Sequence, residues 1–357
     1  MTTRSRITFG LIVTSLVLFG ASCGTPSDGG LFKSEDQGET WAQKVLMDQQ
    51  KKKVITIGNV GVDSIYFDPT NSDIMYLASK ESGMYKTFNA GEQWSQLDTG
   101  ASRIRDIAID PNDTAIVFST RGTDVIKSAD SGEHWDTVYS DPQSGIIMQV
   151  RVDWFNSAHI IATTSIGTVL VSSDSGTTWK VAFQTNEPLS KLIIDPNDSR
   201  ILYVMELERD IYRSTDSGVT WTSVFTPEYR YANPSQAVVR SLIMDPNDSR
   251  SFYTTTPDGI YHSTDSGATW TYVTTLIEKA APENGSIRNV TIEPGNPNVL
   301  YFTIDRTVYK TLDGAQTWKT IENFPSVRRI TALGIANDRP AILYAGTELI
   351  QQKKGIF

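Results

Sequence analysis

Cysteine and histidine are scarce, one Cys and three His in 357 residues. One thiol excludes an intramolecular disulfide framework and a Cys-rich zinc or iron–sulfur site, and three His leave little for a His-based centre. No metal and no cofactor is expected. Positive charge is the minority, 32 Lys+Arg against 41 Asp+Glu for a net of -9, so the molecule as a whole does not attract nucleic acid. Long apolar runs are missing too. The one candidate, Phe9 to Ala21, is too short to span a bilayer comfortably, and no helical periodicity is sustained beyond it. There is no Gly-x-Ser-x-Gly elbow and no Gly-x4-Gly-Lys-Ser/Thr phosphate loop. What remains is an ordinary globular composition, 39% hydrophobic with 25 Gly, which rules out disorder.

The N-terminus has the parts of an export signal: Arg4 and Arg6, the apolar stretch, then Gly20-Ala21-Ser22 before Cys23. Residues 1–22 are read as a signal peptide. The only Cys sits at the boundary where bacterial lipoprotein signals place theirs, and the segment resembles a lipobox with Gly20 where Leu is usual. Cys23 is the expected lipidation site, and ordinary secretory cleavage before it is the alternative. Residues 23–30 then form a lipid anchor and a Gly/Ser/Pro tether. The expected address is the cell envelope, held to a membrane through the N-terminal lipid, or secretion if Cys23 is not lipidated.

An octapeptide, Ser/Thr-x-Asp-x-Gly-x-x-Trp, returns seven times. Its acidic or amide position is Asp36, Asn89, Asp130, Asp174, Asp216, Asp265 and Asp313, and its last position is Trp41, Trp94, Trp135, Trp179, Trp221, Trp270 and Trp318. Two copies are degenerate, with Asn89 for Asp and Ala315 for Gly. Spacings of 41 to 53 residues match one four-stranded propeller blade. Upstream of most copies lies an alternating strand ending in an Asp-Pro turn, such as Arg240 to Pro246. Gly supplies the positive φ of a tight turn, Asp accepts turn N–H groups, and Trp fills space between strands. The box residues are therefore read as scaffold.

The pattern resembles the Asp-box, or bacterial neuraminidase repeat, propellers. That group includes sialidases, sortilin-type receptors, xyloglucan-degrading glycosidases and photosystem II assembly factors, and the resemblance covers residues 31–357. The expected fold is all-β, one seven-bladed β-propeller of four-stranded antiparallel blades. Six blades run from Val62 to about Phe324. The seventh is expected to close the ring by pairing a hairpin at 31–46 with strands near 330–335 and 341–346. Gly355-Ile356-Phe357 repeats the start of Gly30-Leu31-Phe32, so a further hairpin beyond the chain is the alternative.

Binding is expected on the face carrying the connections between blades. Arg105, Arg240 and Arg288 share one repeat position, five residues before the acid that closes the innermost strand, with Arg103, Lys191, Arg328 and Arg329 near in register. They are read either as an anion site at the channel mouth or as rim charges paired with neighbouring acids. Tyr229 and Tyr231, beside Glu228 in a long connection, complete the candidate site.

Two functional classes follow. The main expectation is a non-enzymatic binding or assembly module, a monomer taking a protein or an anionic glycan or peptide on that face, with no catalytic residue assigned. The alternative is a glycoside hydrolase on extracellular glycans. Against a sialidase, the Phe-Arg-Ile-Pro motif is absent and seven blades replace six. Against a xyloglucanase, which joins two propellers, this chain holds one, and only Trp154 lies outside the boxes to serve as a sugar platform.

Overall fold

The computed structural model describes residues 27–50, 53–100, 102–207, 209–224, 239–256, 259–273 and 287–349. The signal segment, Cys23, Tyr229, Tyr231 and the 355–357 repeat lie outside them. Strands account for all the regular structure among the described residues, and they form seven four-stranded antiparallel sheets plus one two-stranded hairpin. Blade 3 shows the plan: Ile147–Val152 innermost, then Ile160–Thr164, Thr168–Ser172 and Lys180–Gln184. The two middle strands are buried throughout because neighbouring blades cover both faces, whereas the outermost strand is exposed.

The seventh blade combines the two ends of the chain. Its order runs from Ala42–Gln43 through Leu31–Ser34 and Arg339–Glu348 to Arg329–Ala336. Leu31 pairs with Gly346 and Ser34 with Leu343. This blade packs on both neighbours. Tyr344 and Ala332 share a core with Leu77 and Met75 of blade 1, while Leu343 and Ala345 share one with Tyr301 and Val308 of blade 6.

Each box is a self-contained hydrogen-bonded turn. In blade 4 the Ser214 hydroxyl and the Thr220 N–H both donate to Asp216 Oδ1, at 2.8 Å each, and the Thr220 hydroxyl donates to Oδ2 at 2.6 Å. The Gly218 N–H donates to the Ser214 hydroxyl, and Trp221 Nε1 to the Gly218 carbonyl. Gly132 shows why glycine is needed: its φ is +99°, and a Cβ there would lie 2.8 Å from Leu97 of the preceding blade. Trp221 in turn stacks on Phe183 of blade 3, with ring centroids 5.4 Å apart, so the box also glues blades together. The degenerate copy in blade 6 shifts its glycine by one place. Ala315 must adopt a φ of +69° and Trp318 Nε1 is left without a partner.

One connection differs from its expectation as a loop. Leu46–Gln50 and Lys53–Thr56 form a hairpin whose approach covers Trp94. That ring is 1% exposed and its Nε1 donates to the Lys44 carbonyl at 3.1 Å. Nothing in Gln49-Gln50-Lys51-Lys52 has the Gly, Pro or Asn that marks a turn.

Candidate functional site

The innermost strands of all seven blades line one central channel with a volume of about 380 Å³. Call its upper mouth the side of the blade-to-blade connections and its lower mouth the side of the Asp-Pro turns. Equivalent positions form rings around it. The ring four residues before the closing position of each strand reads Ser64, Asp106, Gln149, Lys191, Ser241, Asn289 and Ala332, and every member lines the channel.

That ring stitches blades whose inner strands are too far apart to pair. Asp106, fully buried, accepts the Val150 N–H of the next blade at 2.8 Å, the Tyr66 hydroxyl of the previous one at 2.8 Å, and the Arg151 guanidinium. Gln149 accepts the Leu192 N–H at 2.6 Å. Lys191 faces the same space, where burial and then the Arg151 charge lower its ammonium to about 8. Burial together with the Asp106 charge pushes the Tyr66 phenol well up. Tyr66, Asp106 and Arg151 thus make a bonded layer across one side of the channel.

The ring one residue higher contains Asp63, Arg105, Arg240 and Arg288. In blades 1, 3, 4, 6 and 7 the inner strand has a register shift beside this position, and such bulges re-aim side chains. Arg105 and Arg240 line the channel. Arg288 instead joins Arg240 in an adjoining cleft of about 490 Å³. Burial and the neighbouring Arg103 charge lower the pKa of Arg105, and Arg103 itself pairs with Asp63 at 2.7 Å. The channel therefore gathers Arg105, Arg151, Lys191 and Arg240 against two acids, Asp63 and Asp106, in a molecule that is acidic overall.

The other candidates separate from this site. Arg328 is 5% exposed and clasps the tether: its Nε donates to Asp28 at 2.8 Å, and its terminal nitrogens donate to Gly58 O, Ser27 and Asn59. Arg329 lies 3.5 Å from Asp305 and 4.0 Å from Glu348. Tyr229 and Tyr231 fall outside the described residues. Sequence reasoning missed Asp63, Asp106 and Arg151, although the alternation of the inner strands was a signal that could have placed them in the channel. It also missed Glu348, 16% exposed and paired with Lys80; a Cβ on Gly61 would lie 3.7 Å from its Cβ, which sets Glu348 beside the strand that carries Asp63.

The box carboxylates line no shared cavity; they bond within their own turns. His134 Nδ1 donates to the Asp130 carboxylate in its box, His262 stacks on Tyr253, and His159 meets Asp153 in a turn. Among the described residues no cluster of three or more His, Cys, Asp or Glu is placed to hold a metal.

The family model for sortilin, neurotensin receptor 3 (Sortilin-Vps10), matches residues 123–224 and 209–347. Among individual relatives, the xyloglucanase Xgh74A of Acetivibrio thermocellus is 28% identical over 220 residues, 55% of this chain and 23% of the enzyme. The chain thus spans about a quarter of that relative's length. Among solved structures, the GH74 xyloglucanase of Xanthomonas campestris aligns with a TM-score of 0.66 at 15% identity, over 86% of this chain and 52% of the enzyme. YCF48 from Cyanidioschyzon merolae aligns with a TM-score of 0.64 at 12% identity, over 81% of this chain and 96% of that one. These structural likenesses establish the Asp-box propeller fold. The sequence relatives correct the main functional expectation: the matches to xyloglucanases overturn the non-enzymatic module and point to the glycosidase class. Counting spare tryptophans and propellers does not test the channel, which holds the carboxylates of Asp63 and Asp106.

Proposed function

The chain belongs to the Sortilin-Vps10 family, and from that premise we propose that it acts on extracellular polysaccharide as a glycoside hydrolase, with the substrate lying across the upper mouth of the channel. The observation that carries the reading is the 220-residue stretch shared with a xyloglucanase, which makes xyloglucan the first substrate to test. Export, expected from residues 1–22, would bring the propeller to polymers outside the cell.

Hydrolysis of a glycosidic bond uses two carboxyl groups flanking it. We assign Asp63, which lines the channel, and Glu348, which pairs opposite Arg329 on blade 7 beside the strand that carries Asp63; they are oriented by Arg103 and Lys80 respectively. Asp106 is excluded from the chemistry because its oxygens are already occupied by Val150, Tyr66 and Arg151. Arg105, Lys191, Arg240 and Arg288 would donate hydrogen bonds to hydroxyls of the polymer. The assay is release of reducing ends from xyloglucan by the full chain. The expected result is release that falls at least about 100-fold in D63N and in E348Q. No release by the unsubstituted chain, or undiminished release by the D63N/E348Q double variant, overturns the proposal.

A further inference from the structure

In blades 1, 2, 4 and 5 the turn after the inner strand follows one plan, in which an acid accepts the N–H two residues on. Asp68, Asp110, Asp195 and Asp245 do so at 2.8, 2.9, 2.8 and 2.8 Å, and each is followed by proline. Blade 3 keeps the bond, Asp153 accepting the Phe155 N–H at 2.8 Å, but the residues after the acid are Trp154 and Phe155. The turn itself needs neither ring. Both are left in solvent, Trp154 45% and Phe155 65% exposed, where burial returns little and exposed apolar area favours association. Folding therefore does not account for the departure.

Trp154 borders a hollow of about 300 Å³ at the lower mouth, walled by Ile65, Phe67, Ile107, Ile109 and Pro111, with Arg151 and Asn337 as polar groups. An aromatic face beside apolar walls with a few hydrogen-bonding groups at the edge suits the C–H face and hydroxyl rim of a pyranose ring. Its position opposite the upper mouth, with Arg151 bonded to Asp106 between them, makes it separate from the carboxylate pair.

We propose that Trp154 and Phe155 form a second sugar-binding platform, which anchors the polysaccharide on the lower face away from the point of cleavage. This rests on the glycan reading above. The repeat supplies its own control, since W154P/F155N restores the Asp-Pro-Asn turn that blades 2, 4 and 5 already fold. The full chain and this variant are compared for retardation by soluble xyloglucan in native gels, for melting temperature, and for cleavage of a short xyloglucan oligosaccharide. The expected result is unchanged melting and oligosaccharide cleavage with about tenfold weaker retardation. Equal retardation of the two proteins overturns the platform, and continued cleavage would leave the hydrolase reading standing. If the unsubstituted chain is retarded yet cleaves nothing, the hydrolase reading fails while loss of retardation in the variant still upholds the platform. If the unsubstituted chain is neither retarded nor active, both fall.

Discussion

Replacing Arg328 by Ala separates two roles that its sequence position left open. As a ligand-binding arginine it would be dispensable for folding; as the clasp seen here it holds the tether at 27–28 and the turn at 58–59 against blade 7. The magnitude follows from what is lost. The bond from the guanidinium to the buried Gly58 carbonyl, a charged donor on a neutral acceptor, contributes about 1.5–3 kcal/mol. Removing roughly two buried methylenes costs about 1.6 kcal/mol more. Asp28 is 41% exposed, so it rehydrates and leaves no stranded charge. The loss is therefore about 3–5 kcal/mol, and at about 2–4 °C per kcal/mol for a domain of this size class it lowers the melting temperature by roughly 6 °C or more. Calorimetry of R328A beside R328K measures it, with R328K expected to recover part of the loss through its charge. A melting temperature for R328A within about 2 °C of the unsubstituted protein would refute the clasp.

Two pH effects follow from the same structure. Lys191 holds its proton less tightly in the fold, to about 8, than the roughly 10.4 of an unfolded lysine. Between those values the unfolded chain binds the extra proton, so stability gains from this residue as pH rises through the window. Urea midpoints at pH 7.5 and 10 should show the unsubstituted protein gaining on K191M; an equal gap at both pH values refutes the coupling. Bonds from Thr317 and then Thr311 lower Asp313 to about 2. Its contribution is complete above the unfolded value of about 3.9 and fades as pH falls toward 2. D313N should therefore be less stable at pH 6 and indistinguishable near pH 2, and a deficit unchanged by pH would count against the charge.

The boxes were legible because they are local. Ser214, Asp216, Gly218, Thr220 and Trp221 bond to one another within eight residues, so the spacing in the sequence is also the spacing of the contacts. The closing blade was legible for a different reason: each chain end carried half of a repeat, and an unpaired edge in a ring has one place to go. The hairpin at 46–56 was hidden because it breaks turn chemistry, and Arg328 was misplaced because register gives the position of a residue along a strand but not the segment that folds over it.

The sequence by itself determined the number of blades, the residues that turn and glue them, and the way the ends meet, since all of these repeat at short range. Only the tertiary structure decided which side chains share the channel. Asp106 reaches Val150 across 44 residues of chain, and Glu348 comes beside the strand of Asp63 from the other end of the molecule. Such neighbours are set by the rotation of each blade about the axis, a quantity that no stretch of sequence contains.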